Sequence, residues 1–238
     1  MATILAVFAH PDDETFICGG TMAKYGYEGH RIVLVCATKG EMGRRMGVPP
    51  IATREDISII REQELKHACK ALKINNLRFL GIRDKLVEIQ PLQTLTETIL
   101  KQMIDVKPDS VVTFHETLGG HPDHCTIGLA TSKAFQMYQK YISQSKTNLF
   151  YVSDGSVAKN PHQVGLEPQQ ITKINVKDYL PFKLQAFRAH KTQSEINEWV
   201  WLRDELSLKK FPDYEYFIQA HTPYHDGAIS LFPQERDK

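Results

Sequence analysis

Short, uninterrupted apolar runs alternate along the chain with longer stretches in which apolar residues recur every three to four positions. The runs are Thr3 to Ala9 (TILAVFA), Arg31 to Ala37 (RIVLVCA), Ser110 to Phe114 (SVVTF) and Leu149 to Val152, and Asn75 to Leu80 reads as a further brief strand. The first two predict strands buried on both faces, and the others complete a set of five. The stretches between them predict helices over Phe16 to Gly29, Thr53 to Leu72, Leu92 to Val106 and Pro122 to Tyr141. In the second of these, Ile57, Ile60, Leu65, Ala68 and Leu72 recur at roughly helical spacing among good helix formers. Thr38 to Pro50, rich in glycine and basic residues and closed by Pro49-Pro50, reads as a loop. Alternation at this spacing implies right-handed crossovers. The expected fold is therefore α/β: a Rossmann-like, doubly wound, mostly parallel sheet with helices on both faces.

From Asp154 to Gln170 the composition turns to Gly, Pro, Asn and Gln, which predicts a long loop ahead of Ile171 to Val176 and a helix from about Tyr179 to Lys191. The expected organisation is a single domain, with a core over 1–153 and a small C-terminal α/β extension over 154–238 packed on it. With 29 Lys and Arg against 28 Asp and Glu, the near-neutral chain argues against a polyanion-binding surface, so no nucleic-acid partner is expected. No 18-residue apolar run exists, and Thr3 to Ala9 is too short and lacks the basic flank of a signal peptide, so a cytoplasmic protein without a membrane partner is expected. Cys18, Cys36, Cys69 and Cys125 show no CxxC spacing and read as reduced thiols.

In an open α/β sheet ligands bind beyond the carboxyl ends of the strands, and two such positions match. His10-Pro11-Asp12-Asp13 follows the first strand; His121-Pro122-Asp123-His124 follows the fourth. In a helical first turn, residues three apart share a face, so His10 and Asp13 can converge with Asp12 rotated away, and His121 can lie beside His124. Two histidines and a carboxylate with an open fourth position suit a catalytic divalent metal, zinc in particular, and iron(II) also accepts that set. The bland alternative, a capped helix start, accounts for one such motif better than for two.

These motifs, AHPDDE and HPDH, resemble the signatures of the LmbE/PIG-L family of zinc-dependent N-acetylglucosaminyl deacetylases. Arg61-Glu62-Gln63-Glu64, Gly81-Ile82-Arg83-Asp84 and Ala189-His190-Lys191-Thr192-Gln193 are similar to further family features, and the Thr38 to Gly47 loop resembles the subgroup that deacetylates N-acetylglucosaminyl malate in bacillithiol biosynthesis. The resemblance implies His10, Asp13 and His124 as ligands of one Zn²⁺ per chain and Asp12 as general base. It implies His121 at the oxyanion or leaving amine, Arg61 as a substrate contact, Asp84 as a polar group nearby, and a homo-oligomer, trimer or hexamer. His190 is expected near the site or as an interior histidine. Asp123 is expected either to hold His121 in a donating state or only to start a helix.

Arg44, Arg45 and Arg54 are candidates for binding a substrate carboxylate, such as malate carries, against the alternative of simple solvation. His115 and Glu116 are expected on the same rim, and Cys125 in packing. The expected reaction is hydrolysis of the acetamide of an N-acetylated sugar conjugate. The alternatives are another N-acetyl sugar, an amide in a thiol S-conjugate, or a non-catalytic metal-containing binding module. An unliganded Asp12 beside the ligands has no use in the last of these.

Overall fold

The computed structural model describes residues 1–44, 49–142, 147–220 and 230–232. Strand β1 (Thr3–Phe8) is buried from Ile4 onward, as a run without polar alternation requires when both faces of a sheet are covered. It is followed by two short helices, α1 (Asp13–Phe16) and α2 (Gly19–Tyr27), then β2 (Arg31–Cys36), α3 (Ile57–Ala71), β3 (Asn76–Phe79), α4 (Leu92–Val106), β4 (Ser110–Thr113), α5 (Pro122–Tyr141) and β5 (Asn148–Ser153). These strands are parallel: Ile4 stands between Ile32 of β2 and Ser110 of β4. After β5 come α6 (Gly155–Lys159), β6 (Ile171–Asn175), α7 (Leu180–Ala189), α8 (Lys191–Ser194) and β7 (Tyr214–Gln219).

Among the described residues seven strands form one sheet in the order β3-β2-β1-β4-β5-β7-β6, with β7 and β6 antiparallel to their neighbours. The α/β, mostly parallel architecture expected from the sequence is thus present. Helices α4 and α5 pack together and against β1, while α2, α3 and α7 pack together in a second group. The chain leaves β1 toward β2 and β3 and then returns to β4 on the other side of β1. The winding reverses between β1 and β4, and the carboxyl ends of those two strands open a crevice. Both histidine motifs emerge there.

Three details differ from the sequence reading. The helix expected over Phe16 to Gly29 is divided at Ile17-Cys18. The division frees the amides of Gly20 and Thr21, which donate to the carboxylate of Glu215 on β7 at 2.9 and 2.7 Å. Lys183 of α7 closes this buried cluster with an ion pair to Glu215 at 2.6 Å. Gly20 is required at that approach, because a Cβ there would stand 2.7 Å from the Val176 side chain. The second difference is β7, which the sequence reading does not contain. The supposed loop after Ser153 also begins with α6, capped by the Asp154 carboxylate accepting from the amides of Ser156 and Val157. All four cysteines are free; Cys18, Cys36 and Cys69 are buried, and burial pushes each thiol up. Among the described residues no helix is long and apolar enough to cross a membrane.

Candidate active site

The crevice between β1 and β4 gathers His10, Asp13 and His124, whose ligand atoms lie within 4.8 Å of one another. His10 Nδ1 and His124 Nε2 are 3.2 Å apart, and His124 Nε2 is 3.2 Å from Asp13 Oδ1. Asp13 Oδ2 accepts the backbone N–H of His10 at 2.8 Å, which fixes the carboxylate toward its neighbours.

The outward nitrogens of the two imidazoles are held by oxygens. His124 Nδ1 is 3.0 Å from the carbonyl of Gly119, and His124 stacks on Phe114 with ring centroids 3.8 Å apart. His10 Nε2 is 3.1 Å from Asp123 and 3.2 Å from Asp84. These oxygens only accept, so each outward nitrogen carries a proton, and the inward nitrogens, turned toward Asp13, are the ones a metal would take. That is the arrangement that orients metal-ligating histidines and raises their basicity.

Among the described residues a second group, His10, His121 and Asp123, also brings its ligand atoms within 4.8 Å of one another. Its carboxylate is already engaged. Asp123 is fully buried and accepts from the amides of Lys85 and Glu88 at 3.0 and 3.1 Å as well as facing His10. His121 Nδ1 accepts the backbone N–H of Asp123 at 3.1 Å, capping α5. The expectation that the Asp123 carboxylate holds His121 is therefore corrected. Asp123 bonds to the ring through its amide, and its carboxylate ties the 84–88 loop to His10.

Asp12 has φ 102°, a left-handed conformation that costs an L residue about 1–2 kcal/mol. Its side chain meets Arg61 at 3.0 Å, and its N–H donates to Glu14 Oε2 at 3.0 Å. Asp12 shares a cavity of about 490 Å³ with the three candidate ligands, His121, Arg44 and Gln193.

Charge in the site follows from burial and these pairs. Burial pulls His10 toward its neutral form, but the hydrogen bonds to Asp123 and Asp84 outweigh it, and its pKa is pushed up to about 10. His124 is also raised, Asp13 overcoming the effect of burial. Burial favours protonated Asp13, yet His124 and His10 hold it below the usual carboxylate value. Burial lifts Asp12 to about 6 against the opposing pull of Arg61. His121 is lowered, first by burial and then by the neighbouring histidines.

The family model for GlcNAc-PI de-N-acetylase, PIG-L, matches residues 5–135. The chain belongs to the PIG-L family. It is 40% identical over 191 residues to a Bacillus anthracis protein named "Probable N-acetyl-alpha-D-glucosaminyl L-malate deacetylase 2", covering 80% of each chain. A Bacillus subtilis (strain 168) protein of the same name is 36% identical, with 81% of this chain and 83% of that one covered. The fold is shared with N,N'-diacetylchitobiose deacetylase from Pyrococcus horikoshii (TM-score 0.68, 20% identity, 94% of this chain and 88% of that chain covered). Membership of PIG-L makes this chain a deacetylase, an enzyme that hydrolyses an amide.

Within this PIG-L site the remaining expected residues divide. Arg61 lines the cavity but is only 3% exposed, and its guanidinium donates to the carbonyls of Gly40 and Pro11 as well as to Asp12. Gly40, at φ +68°, leaves the room this needs, since a Cβ would lie 2.0 Å from Arg61 Nη1. Asp84 stands behind His10, and its other oxygen accepts the Met42 amide at 2.9 Å. Arg44 is exposed on the rim, its backbone paired to Gln193. Arg54 donates to the carbonyls of Glu41 and Gly43, and Arg45 lies outside the described residues. His115 turns to Thr117 and packs on Tyr151. His190 is fully buried and does not line the cavity; it meets Glu14 at 2.7 Å. Lys85 was not singled out from sequence, although it follows Asp84; Glu14 and Glu64 stand within the quoted motifs, but the sequence reading gave them no role of their own.

Proposed function

We propose that this PIG-L enzyme is a zinc-dependent N-deacetylase that removes the acetyl group of N-acetylglucosaminyl malate, a step of bacillithiol biosynthesis. The observation that carries the reading is the convergence of His10 Nδ1, Asp13 and His124 Nε2 within 4.8 Å in a cavity that also holds the unliganded carboxylate of Asp12. Two imidazole nitrogens and a carboxylate, each oriented from behind, fit a borderline-soft divalent ion with an open position. Zinc bound there supplies Lewis acidity, activating water near neutral pH and polarising the acetyl carbonyl.

The chain's own groups do the rest. Asp12 takes the proton of the attacking water and returns it to the amine nitrogen as the amide breaks. His121, its Nδ1 accepting the Asp123 amide, carries its proton on Nε2 and donates where negative charge gathers on the former carbonyl oxygen. Its lowered pKa keeps it neutral, so it donates without repelling the neighbouring cation. Asp84 and Asp123 orient His10, and Arg61 orients Asp12. Arg44, on the exposed rim with Lys85, offers a charge for the malate carboxylates. The names of the Bacillus relatives support this substrate.

Release of primary amine is the test, with zinc-loaded protein on N-acetylglucosaminyl malate and on plain N-acetylglucosamine, beside the Asp12→Asn variant. Fast release from the conjugate, slow release from the plain sugar and loss in the variant are expected. No release from the conjugate by zinc-loaded protein overturns the substrate; undiminished release by the variant overturns the base.

A further inference from the structure

Asp12 is gripped by its main chain as well as by its side chain, and the main-chain grip is assembled by the C-terminal part of the protein. Its N–H donates to Glu14 Oε2 at 3.0 Å. Glu14 is 1% exposed, and its other oxygen accepts from the Thr15 hydroxyl and faces His190 Nε2 at 2.7 Å. A carboxylate only accepts, so His190 must present its proton there, and the tautomer is set. Among the described residues the opposite nitrogen, His190 Nδ1, is buried without a hydrogen-bond partner, so Glu14 is the one polar group there that holds this ring.

The ring is delivered to Glu14 by a second buried glutamate. Glu64 of α3 accepts the Thr192 N–H at 2.7 Å and its hydroxyl at 2.6 Å, clamping the α7–α8 junction just beyond His190. Arg61, one turn before Glu64 on the same helix, holds the Asp12 carboxylate. One helix thus secures Asp12 from both sides: directly through Arg61, and through Glu64, the His190 turn and Glu14.

We infer that Glu14 and His190 are a positioning pair for Asp12: Glu14 holds the left-handed backbone that aims the carboxylate, and His190 fixes Glu14. The inference rests on the proposed role of Asp12 and extends it to residues that touch neither metal nor substrate. Glu14 acts by accepting a hydrogen bond rather than by its charge alone. A glutamine can keep that contact through its oxygen and turn its amide to His190, whose ring then accepts in its other tautomer; an alanine cannot.

The test compares Glu14→Ala, Glu14→Gln, His190→Phe and the Glu14→Ala/His190→Phe double variant. Glu14→Ala should lower kcat about 100-fold, as misplacement of a reacting group does, with KM and bound zinc unchanged. Glu14→Gln should recover most of that loss, and the double variant should be no slower than Glu14→Ala, as for groups acting as a unit. Exchange of the Asp12 amide hydrogen, followed by NMR, needs no substrate. It should quicken about tenfold in Glu14→Ala, the factor one ordinary hydrogen bond makes, and stay slow in Glu14→Gln. Wild-type turnover in Glu14→Ala, zinc lost together with turnover, equal loss in Glu14→Gln, or unaltered Asp12 exchange would each overturn the pair. Absence of deacetylation in the wild type, with Asp12 exchange behaving as expected, would strike the proposed function and leave the pair standing.

Discussion

The two histidine-proline-aspartate turns share three letters and almost nothing of their backbone. After β4, His121 caps a regular helix of 20 residues with Pro122 in its first turn. After β1, no such helix forms: Asp12 is left-handed, and α1 lasts 4 residues before the chain breaks. The aspartates after the prolines have opposite fates. Asp123 disappears into the protein and ties down a loop and His10, while Asp12 stays in the cavity. Of the two aspartates, the one on the regular turn is a mount and the one on the strained turn faces the cavity, as expected where stored strain serves a site. Identical spacing in sequence therefore distinguishes neither role.

Replacing the two histidines of the second turn one at a time should have the largest effects. His124→Ala should abolish stoichiometric zinc. His121→Ala should keep the metal, lower kcat by about 10²–10³ and reduce stability by about 1 kcal/mol through the lost cap. Metal analysis beside calorimetry checks both, and zinc retained by His124→Ala would break the comparison.

The aspartates come next. Asp12→Asn should melt like the wild type and bind zinc while losing about 10²–10⁴ in kcat. Asp123→Asn sets an amide against two backbone N–H groups. It should cost about 1–3 kcal/mol of stability and about 10–100-fold in zinc affinity through His10. An Asp123→Asn protein as stable and as avid for zinc as the wild type would show that the buried carboxylate is not a mount.

The smallest effect is that of pH. Asp123 and Asp84 hold the proton of metal-free His10 up to about 10, against burial. A metal must displace protons from such ligands, so zinc affinity should climb with pH through neutrality. For the metal-free protein the sign is reversed. The stability that protonated His10 adds is complete below its ordinary value of 6.5 and is lost as pH rises through about 10. Chelator competition and melts across neutral pH measure both trends, and a flat affinity profile would exclude the proton competition.

Much of this was legible in the chain. Helices α4 and α5 fall on the stretches read from the apolar repeat, and β1, β2 and β4 lie within the runs read as strands, because their burial follows local periodicity. β7 was not, although Tyr214, Tyr216 and Phe217 are strand-favouring residues. Its second residue, Glu215, faces inward, and that is tolerable only because α2 and Lys183 meet it from afar. In the site, convergence of His10, Asp13 and His124 follows from two strand ends flanking the winding reversal. The burial of Glu14, Glu64 and His190 depends on α3 and α8 meeting, a contact between distant segments that no local pattern encodes.

The contact between Gly20 and Glu215 spans 195 residues, and this sets a timetable for synthesis. At ribosomal speed that interval takes about 10–40 s. Until β7 emerges, the amides that open α2 have no acceptor, and β5 presents an unpaired edge of the kind that recruits other chains. The nascent protein carries its ligand-bearing turn on an unfinished frame throughout this interval, and β7, which brings the missing carboxylate, is also the strand that covers the edge.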